Sequence, residues 1–165
     1  MDGKVININL LPLELNNIIM HLAKPLPQKC YENCGVITLL ASGDNNFAMY
    51  CKEKGWQVSY CLGLLTDCYG KTHPHAWIKI NQDCYCDPTL QNNSQTWLNR
   101  IMDFNYVVFH ELTPSDIVDF FKVHYSEREF NDYGIPCGQS QYPIIDLRGK
   151  LTCEKDIENN NNLAL

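Results

Sequence analysis

Between His75 and Asp87 two kinds of residue alternate around a short polar turn, and this alternation constrains the fold more than any other feature. Successive side chains of a β-strand point to opposite faces, so such a run reads as a β-hairpin. With a three-residue loop at Asn81-Gln82-Asp83, Ile80 faces Cys84. His75, Trp77, Lys79, Tyr85 and Asp87 then share one face, and Ala76, Ile78, Ile80, Cys84 and Cys86 take the other. The first set is polar and aromatic; the second is apolar throughout. Asp87 falls opposite Trp77 and diagonal to His75, within side-chain reach. A loop one residue shorter would put His75 and Asp87 on opposite faces, so the pairing depends on register.

Around this hairpin the pattern predicts helices first. Residues 12–23 read as a helix with Pro12 in its first turn, closed off by Pro25 and Pro27. A second helical pattern, 28–41, ends at Ser42-Gly43. It is apolar nearly all round, so it is expected to be buried. Residues 45–54 form a shorter helix with Gly55 as its left-handed stop. Strands are expected at 56–65 and 105–112. Thr113-Pro114-Ser115-Asp116 has the form of a capping box and opens a helix. Residues 126–138 are polar and turn-rich, and 141–147 suggest an edge strand. The expectation is an α+β fold: helices, then an antiparallel meander with helices. One domain is expected over 1–157, with a flexible tail at 158–165.

The chain's 165 residues, 45% of them apolar, suffice for a single core without disulfide or metal. A net charge of −6 argues against a nucleic-acid binder and against an anionic membrane surface. No apolar run is long enough to span a bilayer, and the N-terminus lacks the pattern of a signal peptide. Nine cysteines, an odd number, in a chain that reads as cytoplasmic are expected to be reduced and mostly inert. Cys51, Cys61, Cys68, Cys137 and Cys153 have no histidine nearby in sequence and receive no role. His21, His110 and His124 read as exposed or hydrogen-bonded. The segment 133–138 reads as a surface turn more readily than as a loop over a cleft.

Cys30, His75 and Asp87 occur in the order and with the chemistry of a nucleophilic triad. A thiolate attacks an acyl carbon, an imidazole exchanges the proton, and a carboxylate fixes the imidazole. Cys30 falls in the first turn of its helix, where unpaired N–H groups and the helix dipole favour a thiolate. Cys34, one turn further on, is the alternative nucleophile. Gln28, Asn33 and the backbone N–H of Cys30 are candidates for stabilising the oxyanion, and Trp77 for walling the site. If Asp87 is partly exposed, its replacement by asparagine is expected to cost only about 1 kcal/mol of stability.

The stretches Cys30-Tyr31-Glu32-Asn33-Cys34, Tyr60-Cys61-Leu62-Gly63, His75-Ala76-Trp77 and Asp87-Pro88-Thr89 carry a resemblance. Their pattern is similar to that of small bacterial and phage proteins and resembles the core of the transglutaminase-like, papain-like cysteine protease superfamily. The resemblance spans residues 28–90. It implies a papain-like fold, with a nucleophile helix packed on an antiparallel sheet, and it implies a Cys-His-Asp triad with Cys30 as nucleophile. Two departures keep Cys34 as a rival. Cys34 stands where that pattern has alanine, and Gln28 lies six residues before Cys34, the spacing of a papain-like oxyanion glutamine.

Zinc is the main competing chemistry, since Cys30/Cys34, His73/His75 and Cys84/Cys86 supply more than four ligands. Against it, no C-x2-C pair occurs, and alternation points Cys84 and Cys86 away from His75. Phosphate-binding, serine-hydrolase and zinc-peptidase motifs are missing. The expectation is thiol-dependent acyl chemistry on a protein or small amide-bearing substrate, without cofactor or metal. The alternatives are a non-catalytic interaction protein keeping the fold, or a zinc-stapled binding module.

Overall fold

Helix ends fall where side chains supply or remove backbone partners. The computed structural model describes residues 3–93, 100–131, 136 and 141–157. Its helices are α1 (Leu13–Leu22), α2 (Cys30–Leu40), α3 (Asn46–Lys54), α4 (Pro88–Asn93) and α5 (Pro114–His124). The Asn45 side chain accepts from the N–H groups of Phe47 and Ala48 to start α3, and Gly55 stops it at φ 66°. Thr113 and Asp116 close a reciprocal capping box at α5, with Pro114 in the first turn.

The strands are β1 (Lys4–Ile6), β2 (Ile8–Asn9), β3 (Val58–Thr66), β4 (Thr72–Ile80), β5 (Cys84–Cys86), β6 (Asn105–Leu112), β7 (Ile144–Ile145) and β8 (Leu151–Thr152). Six of them form one sheet in the order β1-β6-β3-β4-β5-β2. β1 pairs antiparallel with β6 at one edge, and β2 pairs parallel with β5 at the other. Only Asn7 separates β1 from β2, so both edges meet the same ribbon of chain and the sheet must curl.

This corrects the expectation of an antiparallel meander preceded only by helices. It also explains β7. Residues 141–147 do not extend the main sheet, because the N-terminal ribbon already occupies both edges; Ile144–Ile145 pairs instead with Leu151–Thr152 in a separate hairpin. The segment lies on the helix side, where the Tyr60 hydroxyl donates to the Pro143 carbonyl at 2.7 Å. Tyr142 packs so close to α2 that a Cβ on Gly35 would sit 2.2 Å from its ring.

The curl divides the core. Leu15, Ile19, Ile37, Phe47, Ile117 and Phe121 fill the space between the helices and the outer sheet face. Inside the curl Ile6, Ile8, Leu65, Trp77, Tyr85 and Tyr106 pack together with Ile101 and Phe104. β6 carries one extra residue: Val108 pairs with Gly63 but His110 pairs with Leu62, leaving Phe109 as a bulge. The bulge returns Glu111 to the face of Tyr106 and Val108. There Glu111 accepts from the Tyr85 hydroxyl at 2.6 Å and from the Lys79 ammonium. Burial works against its charge, but these two donors hold its carboxyl below the usual range.

The turn at 133–138 (except Pro136), with Cys137, and the tail 158–165 lie outside the described residues. Among the described residues no helix is long and apolar enough to cross a membrane.

Candidate functional site

The hairpin pairs Ile80 with Cys84, Lys79 with Tyr85 and Ile78 with Cys86. His75 and Asp87 therefore share the inner face, and His75 Nε2 donates to Asp87 Oδ2 at 2.6 Å. β5 ends at Cys86, so beyond Ile78 no strand among the described residues pairs with this edge of β4. The start of α2 fills the gap: the Cys34 thiol donates to the Ala76 carbonyl at 3.5 Å. Cys30 is the first residue of α2 and is half-buried. Its sulfur is close enough to His75 to help hold the charge of the ring. With Nε2 committed to Asp87, Nδ1 is the ring nitrogen available to that thiol.

Asp87-Pro88-Thr89, expected as the end of a strand, instead opens α4. The reason is local: Asp87 caps the helix, accepting the Leu90 N–H on Oδ1 at 3.0 Å, and Pro88 takes the first helical position. Asp87 is completely buried. Its Oδ2 also accepts from the Tyr106 hydroxyl at 3.2 Å, so three donors hold one carboxylate. Burial opposes charge on His75, which is 6% exposed. The Asp87 carboxylate and the Cys30 sulfur outweigh it and hold the imidazole well above its ordinary pKa.

Cys34 faces a different environment. It is fully buried in the helix-side core, and that burial, reinforced by Asp87, pushes its thiol well up. Asn33 spends both amide hydrogens, on the Leu26 carbonyl at 2.8 Å and the Thr89 hydroxyl at 3.0 Å, and accepts from the Leu26 N–H. It ties the loop before α2 to α4 and has no donor left for an oxyanion. Gln28 is exposed, in the left-handed region at φ 61°. Trp77 is buried inside the curl, its ring 6.3 Å from His75 and edge-on to Tyr106 at 5.2 Å.

Tyr106 was not singled out from the sequence. Its signal is the alternation in 105–112, which puts Tyr106 and Val108 on one face; that this face meets Asp87 across the two intervening strands depends on the curl of the whole sheet. Beside the pair, Leu65, Asp67, His73, Leu90 and Phe104 line a recess of about 160 Å³. The ring of His73 stands edge-on to His75 at 6.2 Å. The zinc set weighed above is not gathered: Cys84 and Cys86 face each other at 3.7 Å on the helix side, away from His75.

The chain matches no protein-family model, no curated protein and no solved structure.

Proposed function

We propose that this chain is an enzyme of thiol-dependent acyl chemistry, of transglutaminase-like or papain-like type. It would hydrolyse an amide or isopeptide bond, deamidate glutamine, or pass the acyl group to an amine. One observation carries the reading: a half-buried thiol at a helix start stands close enough to act on the charge of a histidine that is itself hydrogen-bonded to a wholly buried carboxylate. Cys30 attacks the acyl carbon, with its proton going to His75, and forms a tetrahedral intermediate. His75 then protonates the leaving amine, the C–N bond breaks, and a thioester remains. Water or a second amine, deprotonated by His75, displaces Cys30 and restores the thiol. Asp87 keeps the ring oriented and balances its positive charge. The unpaired N–H groups of the first turn of α2, that of Cys30 among them, are the oxyanion donors in this scheme. No cofactor enters any step. The substrate is a protein or small amide-bearing molecule, and the setting cytoplasmic.

The test is competitive alkylation. With limiting chloroacetamide at neutral pH, peptide mass spectrometry should find Cys30 modified ahead of the other cysteines, and His75→Ala should remove its lead. First labelling at Cys34 would move the nucleophile one turn along. Equal labelling of all exposed thiols would remove the enzymatic reading.

A further inference from the structure

We propose that His124, Cys153 and Asp156 form a binding site for one divalent metal ion of the zinc class. The site is separate from the triad and ties the end of the described chain to α5. His124 is the last residue of α5, and Cys153 directly follows β8. Asp156 comes one turn later, its N–H donating to the Cys153 carbonyl at 3.2 Å. Nothing in the sequence joins His124 to Cys153; the fold does.

The geometry separates a metal cradle from a second triad. The Cys153 sulfur lies 3.7 Å from His124 Nδ1, and Asp156 Oδ2 lies 3.2 Å from that same nitrogen. A relay needs two ring nitrogens, one for the acid and one for the thiol, as at His75. Here sulfur and carboxylate crowd one nitrogen, which has a single lone pair or a single hydrogen to offer. All three ligand atoms lie within 4.8 Å of one another. Tetrahedral zinc, with bonds of about 2.3 Å to sulfur and about 2.0 Å to nitrogen and oxygen, sets sulfur about 3.5 Å and oxygen about 3.3 Å from the nitrogen. The observed separations are within a few tenths of an ångström of those edges.

The surroundings suit such an ion. Phe120, one turn back on α5, stacks on the His124 ring at 4.1 Å and fixes its plane. Cys153 is buried, while the His124 and Asp156 side chains are 27% and 41% exposed, so the cradle has a closed sulfur end and an open mouth. Thiolate with imidazole selects zinc-class ions over magnesium or calcium, and water can complete the four ligands. Binding releases the Cys153 proton to solvent, forms the metal–sulfur bond, and leaves the oxidation state unchanged.

Cobalt(II) titration of the full-length, metal-free protein tests this. One equivalent should produce tetrahedral visible bands and a sulfur-to-cobalt charge-transfer band, both erased by one equivalent of zinc. Cys153→Ser should lose the charge-transfer band, and His124→Gln and Asp156→Asn, on the open side, should lose or weaken the visible bands while still melting cooperatively. Cys30→Ser should titrate like the parent. The proposal is overturned if no bands appear at one equivalent, if they survive unchanged in His124→Gln and Cys153→Ser, or if Cys30→Ser abolishes them, which would place the metal at the triad. Because alkylation of Cys30 is read separately, failure here leaves the acyl-transfer reading standing, and the reverse.

Discussion

Asp87 holds His75 with one oxygen and caps α4 with the other, so orienting the imidazole and starting the helix depend on the same side chain. Its complete burial changes what a substitution costs. Asp87→Asn keeps the shape but leaves a buried imidazole without its counter-charge, so we expect a loss of about 3–5 kcal/mol rather than about 1. Cys30 alkylation in the protein that remains folded should slow sharply; melts run beside alkylation rates separate the two effects. If the folded fraction alkylates as fast as the parent, Asp87 serves only the helix. Tyr106→Phe is the gentler probe. It removes one of three donors to the carboxylate while keeping the ring against Trp77, for about 1 kcal/mol of stability and a smaller drop in alkylation rate. An unchanged rate would reduce Tyr106 to packing.

At the scale of elements, what could be read from sequence was what depends on near neighbours. Alternation and turn length located His75 and Asp87 on one face because both belong to one hairpin, and the capping signals of α3 and α5 are contained within four residues. Asp87-Pro88-Thr89 carries two local signals at once: the strand pattern of Cys84–Cys86 runs directly into it, while Asp87 and Pro88 have the cap and first-position residues of α4, and in the structure the cap prevails. The bulge at Phe109 was not legible, since it shows only in register against β3. Gly63 lies in β3 next to that bulge and opposite His75. A Cβ there would stand 2.0 Å from the Val107 carbonyl oxygen and 2.4 Å from the Trp77 ring. The backbone cannot yield as a flexible side chain would, so Gly63→Ala should cost about 1–3 kcal/mol or more and shift Trp77. Chemical denaturation with tryptophan fluorescence would check it, and an unperturbed midpoint would show that β3 can move aside.

Over the whole molecule, the closing of the sheet was the least legible feature. β1 and β2 together form a ribbon too short to announce itself, and only the two open edges decide where it pairs. Curling the sheet buries the inner face of β4 and makes the protonation of His75 part of the folding equilibrium. The sign follows from the raised imidazole: below its unfolded value of about 6.5 the ring is charged in both states and the Asp87 attraction counts fully. Above that value the folded chain still holds a proton that the unfolded chain has released, so stability falls until pH passes the folded value. The Cys30 sulfur stands beside the same ring, so the measurement belongs in Cys30→Ser, where the slope reports His75 and Asp87 without a neighbouring thiol. Between about pH 6.5 and 7.5, below the range in which the thiols of Cys34, Cys51, Cys61, Cys86 and Cys153, all raised by burial in the fold, ionise in the unfolded chain, its unfolding free energy should fall by up to about 1.4 kcal/mol per pH unit. Adding Asp87→Asn should flatten that slope, because the ring then has no counter-charge to keep its proton. Urea denaturation at several pH values reads both slopes. A flat profile in Cys30→Ser would mean that Asp87 alone does not outweigh burial, and that the charge of His75 depends on the Cys30 sulfur as well.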